Sequence, residues 1–269
     1  MEKNSIIIKE LLKVEEKMPK FFITNKNIIS DCEISIVNED LNHIKNVLRK
    51  DVNDELNICN LDNNKNFLCK ISKIEDNQII LKLEKELESN SESNINITIY
   101  QGLPKAEKME MIIQKSTELG ANTITPTIMK RCVVKIDDKD KCKKIARWQK
   151  IAEVGAKQSG RDKITKIENF KSIKEICKEI ENYDSVILAY EEEKNNSIKE
   201  EIQMLKTIKK EKLNIAIIIG PEGGLDIEEV EKLKISGANV VTLGNRILRT
   251  ETVSLTLLSI LMYELGDLN

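Results

Sequence analysis

Two hydrophobic rhythms divide this chain. From Phe21 to about Leu87 the apolar residues come in short runs with a period near two: FFI at 21–23, EISIV at 33–37, ELNICN at 55–60, NFLCKISKI at 66–74 and QIILKL at 78–83. Asp/Asn turn signals separate them, a pattern that predicts half-buried strands closing into a small β-barrel or sandwich, with His43–Arg49 (HIKNVLR) as its one helical turn. The stretch Glu86–Asn94 (ELESNSESN) carries no apolar period and reads as a linker. From Ile95 onward strands alternate with longer stretches of helical period, which predicts a parallel sheet covered by helices. The expected organisation is therefore an N-terminal extension at 1–17, a β-barrel at 18–88, a linker at 89–94 and an α/β domain at 95–269. The extension (MEKNSIIIKELLKVEEK) is amphipathic, and Met18 is a plausible second start.

Within the second domain, ITIYQG (97–102) predicts a strand. A helix from about Lys105 follows, placing Met109, Ile112, Ile113, Ser116 and Leu119 on one face and stopping at Gly120. A strand at 122–128 contains Pro126, which predicts an edge or a bulge. A long helix from about Lys139 to Ser159, opened by Asp137 or Asp138, buries Ile145, Trp148, Ala152 and Gly155 or Ala156 and turns Lys141, Lys144 and Arg147 outward. The runs SVILA (185–189) and IAIII (215–219) are short and wholly apolar, as central parallel strands are.

Composition narrows the chemistry. With 269 residues and 40% apolar content the chain has material for a sizeable core. No apolar run approaches the roughly 20 residues that span a bilayer, and no signal-peptide pattern opens the chain, so the expected location is the cytoplasm, with no membrane partner. Six cysteines are scattered without a CxxC pair and His43 is the only histidine, which argues against zinc, haem or any metal and against a Ser-His-Asp triad. The net charge of −2 gives no global pull on nucleic acid. Locally, Lys130–Lys163 holds twelve Lys/Arg against five Asp/Glu, either a nucleic-acid surface or a solvated helix face.

Two glycine-bearing segments remain. Ile215–Leu225 (IAIIIGPEGGL) runs from a strand through Gly220-Pro221-Glu222-Gly223-Gly224 into a helix opened by Asp226-Ile227-Glu228-Glu229, a capping-box pattern. It lacks both the Lys-Ser/Thr of a phosphate cradle and the GxGxxG of a dinucleotide fold. Val240–Val253 (VVTLGNRILRTETV) places, in its loop at 244–252, two arginines, a glutamate and two threonines just before an almost wholly apolar helix. Arg249 and Glu251 pair with each other or cap that helix on one reading, and face a ligand on the other. Together the segments predict a backbone-lined pocket suited to a methyl donor.

The set KxEKMExxIQKSTELG (105–120), QSGR (158–161), GPEGGL (220–225) and LGNRILRTETV (243–253), with HIxxVLR (43–49) upstream, resembles the bacterial ribosomal RNA small subunit methyltransferase E family of the SPOUT superfamily, from Met18 to the C-terminus. The resemblance implies a PUA-like N-terminal β-barrel, a C-terminal α/β SPOUT domain with a trefoil knot and a parallel sheet, and a homodimer. The implied reaction moves a methyl group from S-adenosyl-L-methionine to N3 of a uridine in 16S rRNA of the small ribosomal subunit. Carried over by position, the cofactor site falls on Leu188, Ala189 and Tyr190, on Gly220, Pro221, Glu222, Gly223 and Gly224, and on Leu243, Gly244, Ile247, Leu248, Arg249 and Thr250. Catalytic roles fall on Arg249 and Arg161, stabilising charge on the uracil oxygens or holding a phosphate, and on Glu251, orienting Arg249 or accepting the N3 proton. RNA contacts fall on Arg49, Lys50, Arg131, Lys141, Lys144, Arg147, Gln158, Ser159 and Arg161. Asn53 stands where the family leads one to expect glycine, and Asn60–Asn66 (NLDNNKN) also lacks one. Rival expectations are a SPOUT enzyme acting on a ribose 2′-hydroxyl of tRNA or large-subunit rRNA, and a non-enzymatic RNA-binding assembly factor with an empty pocket.

Overall fold

The computed structural model describes residues 20–89 and 91–268, so the expected extension at 1–17 and the start at Met18 lie outside the described residues. The chain divides into two compact units, Met1–Ser91 and Glu92–Asn269.

In the first unit, β1 (Lys20–Ile23), β2 (Ile28–Ser30), β3 (Glu33–Ile36), helix α1 (Asn38–Asn42), β4 (Glu55–Asn60), β5 (Lys65–Ile74) and β6 (Ile79–Leu87) follow in order. The strands form one sheet in the order β1-β4-β5-β6-β3-β2, with β1 parallel to β4 and the other pairs antiparallel. Register shifts at Leu68/Cys69 and Ile71/Lys73 mark irregularities in β5, where bulges raise the local twist and help a sheet curl around its core. The inward positions Phe21, Ile34, Ile58, Ile71 and Leu81 form that core, as the period-two pattern requires. The helical turn is longer than expected: a wide turn over His43–Val47 continues α1 and ends at Arg49, whose φ of 51° is left-handed. His43 stands edge-on to Phe21 with ring centroids 5.8 Å apart. Asn53 and Asn64 take φ of 75° and 54°, so asparagine, the side chain that best tolerates this region, serves where glycine was expected.

In the second unit come β7 (Ile95–Gly102), α2 (Lys108–Glu118), β8 (Thr123–Ile128), α3 (Asp138–Ser159), β9 (Lys166–Ile167), β10 (Lys171–Ser172), α4 (Ile173–Cys177), β11 (Ser185–Ala189), α5 (Ile198–Leu205), β12 (Leu213–Ile219), α6 (Ile227–Ile235), β13 (Asn239–Val241) and α7 (Thr250–Leu265). All strand pairs are parallel, in the order β10-β8-β7-β12-β11-β13 with β9 also beside β8. Ile215, Ile217 and Ile219 enter one apolar cluster while Ala216 and Ile218 enter a second, so β12 is covered on both faces. Pro126 sits inside β8, but the outer neighbours pair only at Thr123–Ile124 and Thr127–Ile128. The missing N–H thus falls in the gap between two short edge strands. No described helix is long and apolar enough to cross a membrane.

One connection positions everything that follows. The Tyr190 N–H donates to Val241 O, while the Thr242 N–H donates to Asn196 O and the Ile198 N–H to Thr242 O. Residues 239–242 are therefore flanked by both limbs of the loop that joins β11 to α5. From there the chain passes through 243–249 into α7, which packs its Leu257, Leu258 and Leu261 into the core under β7 and β12.

Candidate active site

The C-terminal ends of β11, β12 and β13 and the first turn of α7 surround a cavity of about 650 Å³, within the ~300–1,000 Å³ typical of small-molecule sites. Its walls are the two glycine-bearing segments. Gly220, Pro221, Glu222 and Gly224 line one side, Leu243, Gly244, Ile247, Leu248, Arg249 and Thr250 the other, and Ala189 and Tyr190 close the strand end. Burial first, and then its hydrogen bond to Glu192, hold the Tyr190 phenol above its ordinary pKa.

Close approach of backbone makes the cavity possible. A Cβ on Gly102, at the end of β7, would lie 2.6 Å from Pro221 N and 2.9 Å from Gly220 C. Only a residue without a side chain lets this strand end touch the Gly220-Pro221 turn. Gly244 has open space around it but a φ of 102°, so there the backbone conformation, not crowding, selects glycine.

A buried relay ties the two walls together. Ser254 Oγ donates to Gln101 Oε1 (2.6 Å), Gln101 Nε2 donates to Thr250 Oγ1 (2.8 Å), and Thr250 Oγ1 donates to Gly220 O (2.6 Å). Gln101 and Ser254 are 0% exposed, so each of these bonds is costly to leave unmade. The start of α7 is thereby fixed against the glycine turn of β12.

Charge enters through Lys108. Its Nζ lies 3.1 Å from Glu222 Oε1 and 3.3 Å from Glu251 Oε2, bridging the β12 turn and the first turn of α7. Glu222 also accepts the Lys105 N–H at 2.9 Å. Burial pushes the Glu222 pKa up, but hydrogen bonds from the Lys105 and Glu222 N–H groups and the Lys108 ammonium outweigh it, and the net shift is downward. The Lys108 pKa is raised, chiefly by the hydrogen bond to Glu222. Lys108 lies within the 105–120 motif, but nothing in its own neighbourhood announced that residues 222 and 251 would meet it.

Several expected site residues stand elsewhere. Leu188 is 0% exposed in the core beneath the cavity, and Gly223 faces outward against Arg131 O. Glu251 belongs to α7 rather than to the preceding loop, and its carboxylate turns to Lys108, not to Arg249, which is the N-cap of that helix and lines the cavity. Arg161 is 4% exposed. Its Nη1 donates to Thr117 O, Ala121 O and Thr165 Oγ1, and Nε and Nη2 grip Glu92 at 3.2 and 2.7 Å. With those donors engaged inside its own chain, Arg161 fastens structure there and does not reach the cavity. The capping box expected at Asp226–Glu229 is also replaced: Asp226 caps the Glu228 N–H, while buried Glu229 accepts the Lys130 N–H at 3.0 Å.

The RNA candidates divide similarly. Arg49 is exposed and Lys50 half-buried in the first unit. Arg131 Nη1 donates to Gly223 O at 3.4 Å, on the outer side of the turn. On α3, Lys144 and Arg147 are exposed and Lys141 is half-buried. Lys141 pairs with Asp138 (2.6 Å), Arg147 with Glu110 (2.8 Å), and Lys144 lies over the Trp148 ring. Gln158 is exposed at the end of α3, whereas Ser159 Oγ donates back to Gly155 O.

Comparison with known proteins places this geometry. A family model described as an RNA methyltransferase domain matches residues 91–262, and one described as an RNA methyltransferase PUA domain matches residues 36–84. The parallel sheet, the glycine-walled cavity and the N-terminal sheet thus define an RNA methyltransferase with a PUA domain. The chain is 35% identical over 250 residues to the ribosomal RNA small subunit methyltransferase E of Bacillus subtilis, covering 92% of this chain and 97% of the relative. It is 30% identical over 252 residues to the protein of that name from Mesomycoplasma hyopneumoniae, covering 91% and 96%. The crystal structure of a ribosomal RNA small subunit methyltransferase E from Neisseria gonorrhoeae bound to S-adenosyl methionine superposes with a TM-score of 0.80 at 27% identity, over 94% of this chain and 100% of that one. The chain belongs to the ribosomal RNA small subunit methyltransferase E family.

Proposed function

We propose that this S-adenosylmethionine-dependent rRNA methyltransferase methylates N3 of a uridine in the 16S rRNA of the small ribosomal subunit. The observation that carries the reading is the cavity itself: two backbone-rich walls locked together by the Gln101–Thr250–Gly220 relay, with Lys108 at its edge paired to Glu222 and Glu251. The donor set fits the methyl donor. Main-chain groups of Gly220–Glu222 and Leu243–Leu248 suit the edge of an adenine, and Ile219, Leu243, Leu248 and Val253 offer aliphatic surface to its faces. When bound, S-adenosylmethionine supplies an activated methyl group on a sulfonium. The protein's own work is to align the uracil with that methyl, keep water out and receive the N3 proton. We assign the last of these to Glu251, which pairs with the cavity-lining Lys108, while Arg249 lies on the rim.

RNA binding is assigned to the PUA domain around Arg49 and Lys50 and to the exposed face of α3. Support for the trefoil knot comes from residues 239–242, held between the limbs of the β11–α5 loop. Homodimer formation is part of the same proposal, supported by the exposed apolar side chains of Ile247 on the rim and Tyr263 on α7, as is a working location in the cytoplasm.

The test is methyl transfer with purified protein. Incubation with methyl-labelled S-adenosylmethionine and small ribosomal subunits, followed by nucleoside digestion, should yield labelled 3-methyluridine. Label in a ribose-methylated nucleoside would instead support the 2′-hydroxyl rival, and no binding of S-adenosylmethionine would support the assembly factor.

A further inference from the structure

Among the described residues, Lys108 is the cation seen to join the glycine turn after β12 to the first turn of α7. It projects from the first turn of α2, lines the cavity, keeps 28% of its side chain exposed, and pairs with Glu222 of one wall and with Glu251 in the first turn of α7, beside the lining residue Thr250. Before reaction this cluster carries two carboxylates and one ammonium, a net charge of −1. Such a cluster has room for one more proton: transfer to Glu251 leaves it neutral and frees the ammonium from one of its two partners.

We propose that Lys108 is a catalytic residue, pairing through its ammonium with the uracil oxygens as the N3 proton passes to Glu251. The inference rests on the functional reading above. The N3–H bond breaks and an O–H bond forms on Glu251. The electron pair left on N3 forms the new bond to the methyl carbon, and the pair of the broken S–C bond stays on sulfur. Negative charge spreads onto the uracil oxygens as the proton leaves, and a fixed cation beside that charge, in a site partly screened from water, stabilises it more than it stabilises neutral uracil. Glu222 keeps the ammonium in place throughout, because it is itself fixed by the Lys105 N–H at 2.9 Å.

The other charged groups on the cavity wall are placed differently. Glu193 accepts the N–H groups of residues 194–196 within its own loop. Glu191 and Lys194 belong to that same loop, and Arg246 and Arg249 to the second glycine-bearing segment. Toward Lys108 itself the facing carboxylates are Glu222 from the turn and Glu251 from α7.

The experiment compares full-length wild type, Lys108→Met and Lys108→Arg by single-turnover methylation of small subunits across a pH series. Calorimetric titration with S-adenosylmethionine and thermal unfolding accompany each variant. Lys108→Met should bind S-adenosylmethionine within about threefold of wild type and methylate about 100-fold more slowly at neutral pH. That deficit should shrink as pH approaches the ordinary pKa of the uridine N3–H, because the substrate then ionises without help. Lys108→Arg should recover most of the rate. An unchanged rate in Lys108→Met, a deficit equal at every pH, or a deficit matched by lost S-adenosylmethionine binding in both variants would overturn the role. A wild type that makes no 3-methyluridine would instead remove the functional reading beneath it.

Discussion

A methyl group added at Gly102 has nowhere to go, since Pro221 N and Gly220 C, both backbone, would lie 2.6 and 2.9 Å from it and the rigid Pro221 ring 2.8 Å. Gly102→Ala should therefore cost about 1–3 kcal/mol by overpacking, and should weaken S-adenosylmethionine binding by about tenfold or more as the turn is displaced. Denaturant unfolding and calorimetry measure the two effects; tight binding in the variant would show that the turn tolerates the shift. At Glu222 the sign of the pH effect follows from its lowered pKa. Folded Glu222 titrates below its ordinary value of 4.5, so its stabilising tie is present at neutrality and is lost as pH falls through the lowered folded value. The stability difference between wild type and Glu222→Gln should hold from neutrality to about pH 5 and shrink below it. A difference that stays constant to strongly acidic pH would contradict the assigned hydrogen bonds.

At the scale of elements, α3 separates the two uses to which a basic stretch is put. Its C-terminal neighbour Arg161 spends its charge inward on Glu92, and Glu92 also accepts the Asp162 and Lys163 N–H groups at 3.0 and 3.2 Å. Arg161→Met should cost about 3–5 kcal/mol, the usual penalty for orphaning one partner of a buried pair, visible as a lower denaturant midpoint. Little loss would return Arg161 to the RNA-facing set. The outward face behaves differently: replacing Lys141, Lys144 and Arg147 together by Ala should leave stability within about 1 kcal/mol and weaken RNA binding with a flatter salt dependence. Equal affinity and slope in a filter-binding series would make this a solvated face only.

These contrasts explain what could be seen in advance. Elements with a clean period were legible, as β4 at Glu55–Asn60 and β11 at Ser185–Ala189 show. Both glycine-bearing segments were legible as pocket walls, because glycine after a strand and charge before an apolar helix are local signals. Lys108 and Gln101 were not, since their meaning lies in partners more than a hundred residues away. Arg161 was misplaced for the same reason: a charged residue after a glycine looks exposed until Glu92 is found 69 residues earlier. The N-terminal Asn53 and Asn64 turns departed from expectation in residue type but not in backbone, because asparagine reaches the same left-handed region.

At the scale of the whole molecule, the second unit is built so that a late segment closes an early one. Residues 239–242 lie between limbs of the β11–α5 loop, and α7 then returns to Gln101 on β7 and to Gly220 after β12. Both closed segments wall the cavity, so the proposed methyl-donor site is built by this topology. We propose that this closed pocket serves one modification of the small ribosomal subunit. The most direct test is nucleoside mass spectrometry of 16S rRNA from cells lacking the protein. 3-Methyluridine should disappear from that rRNA and be restored by the wild-type chain but not by Gly102→Ala. Retention of 3-methyluridine, with loss of a different methylated nucleoside or of none, would contradict it.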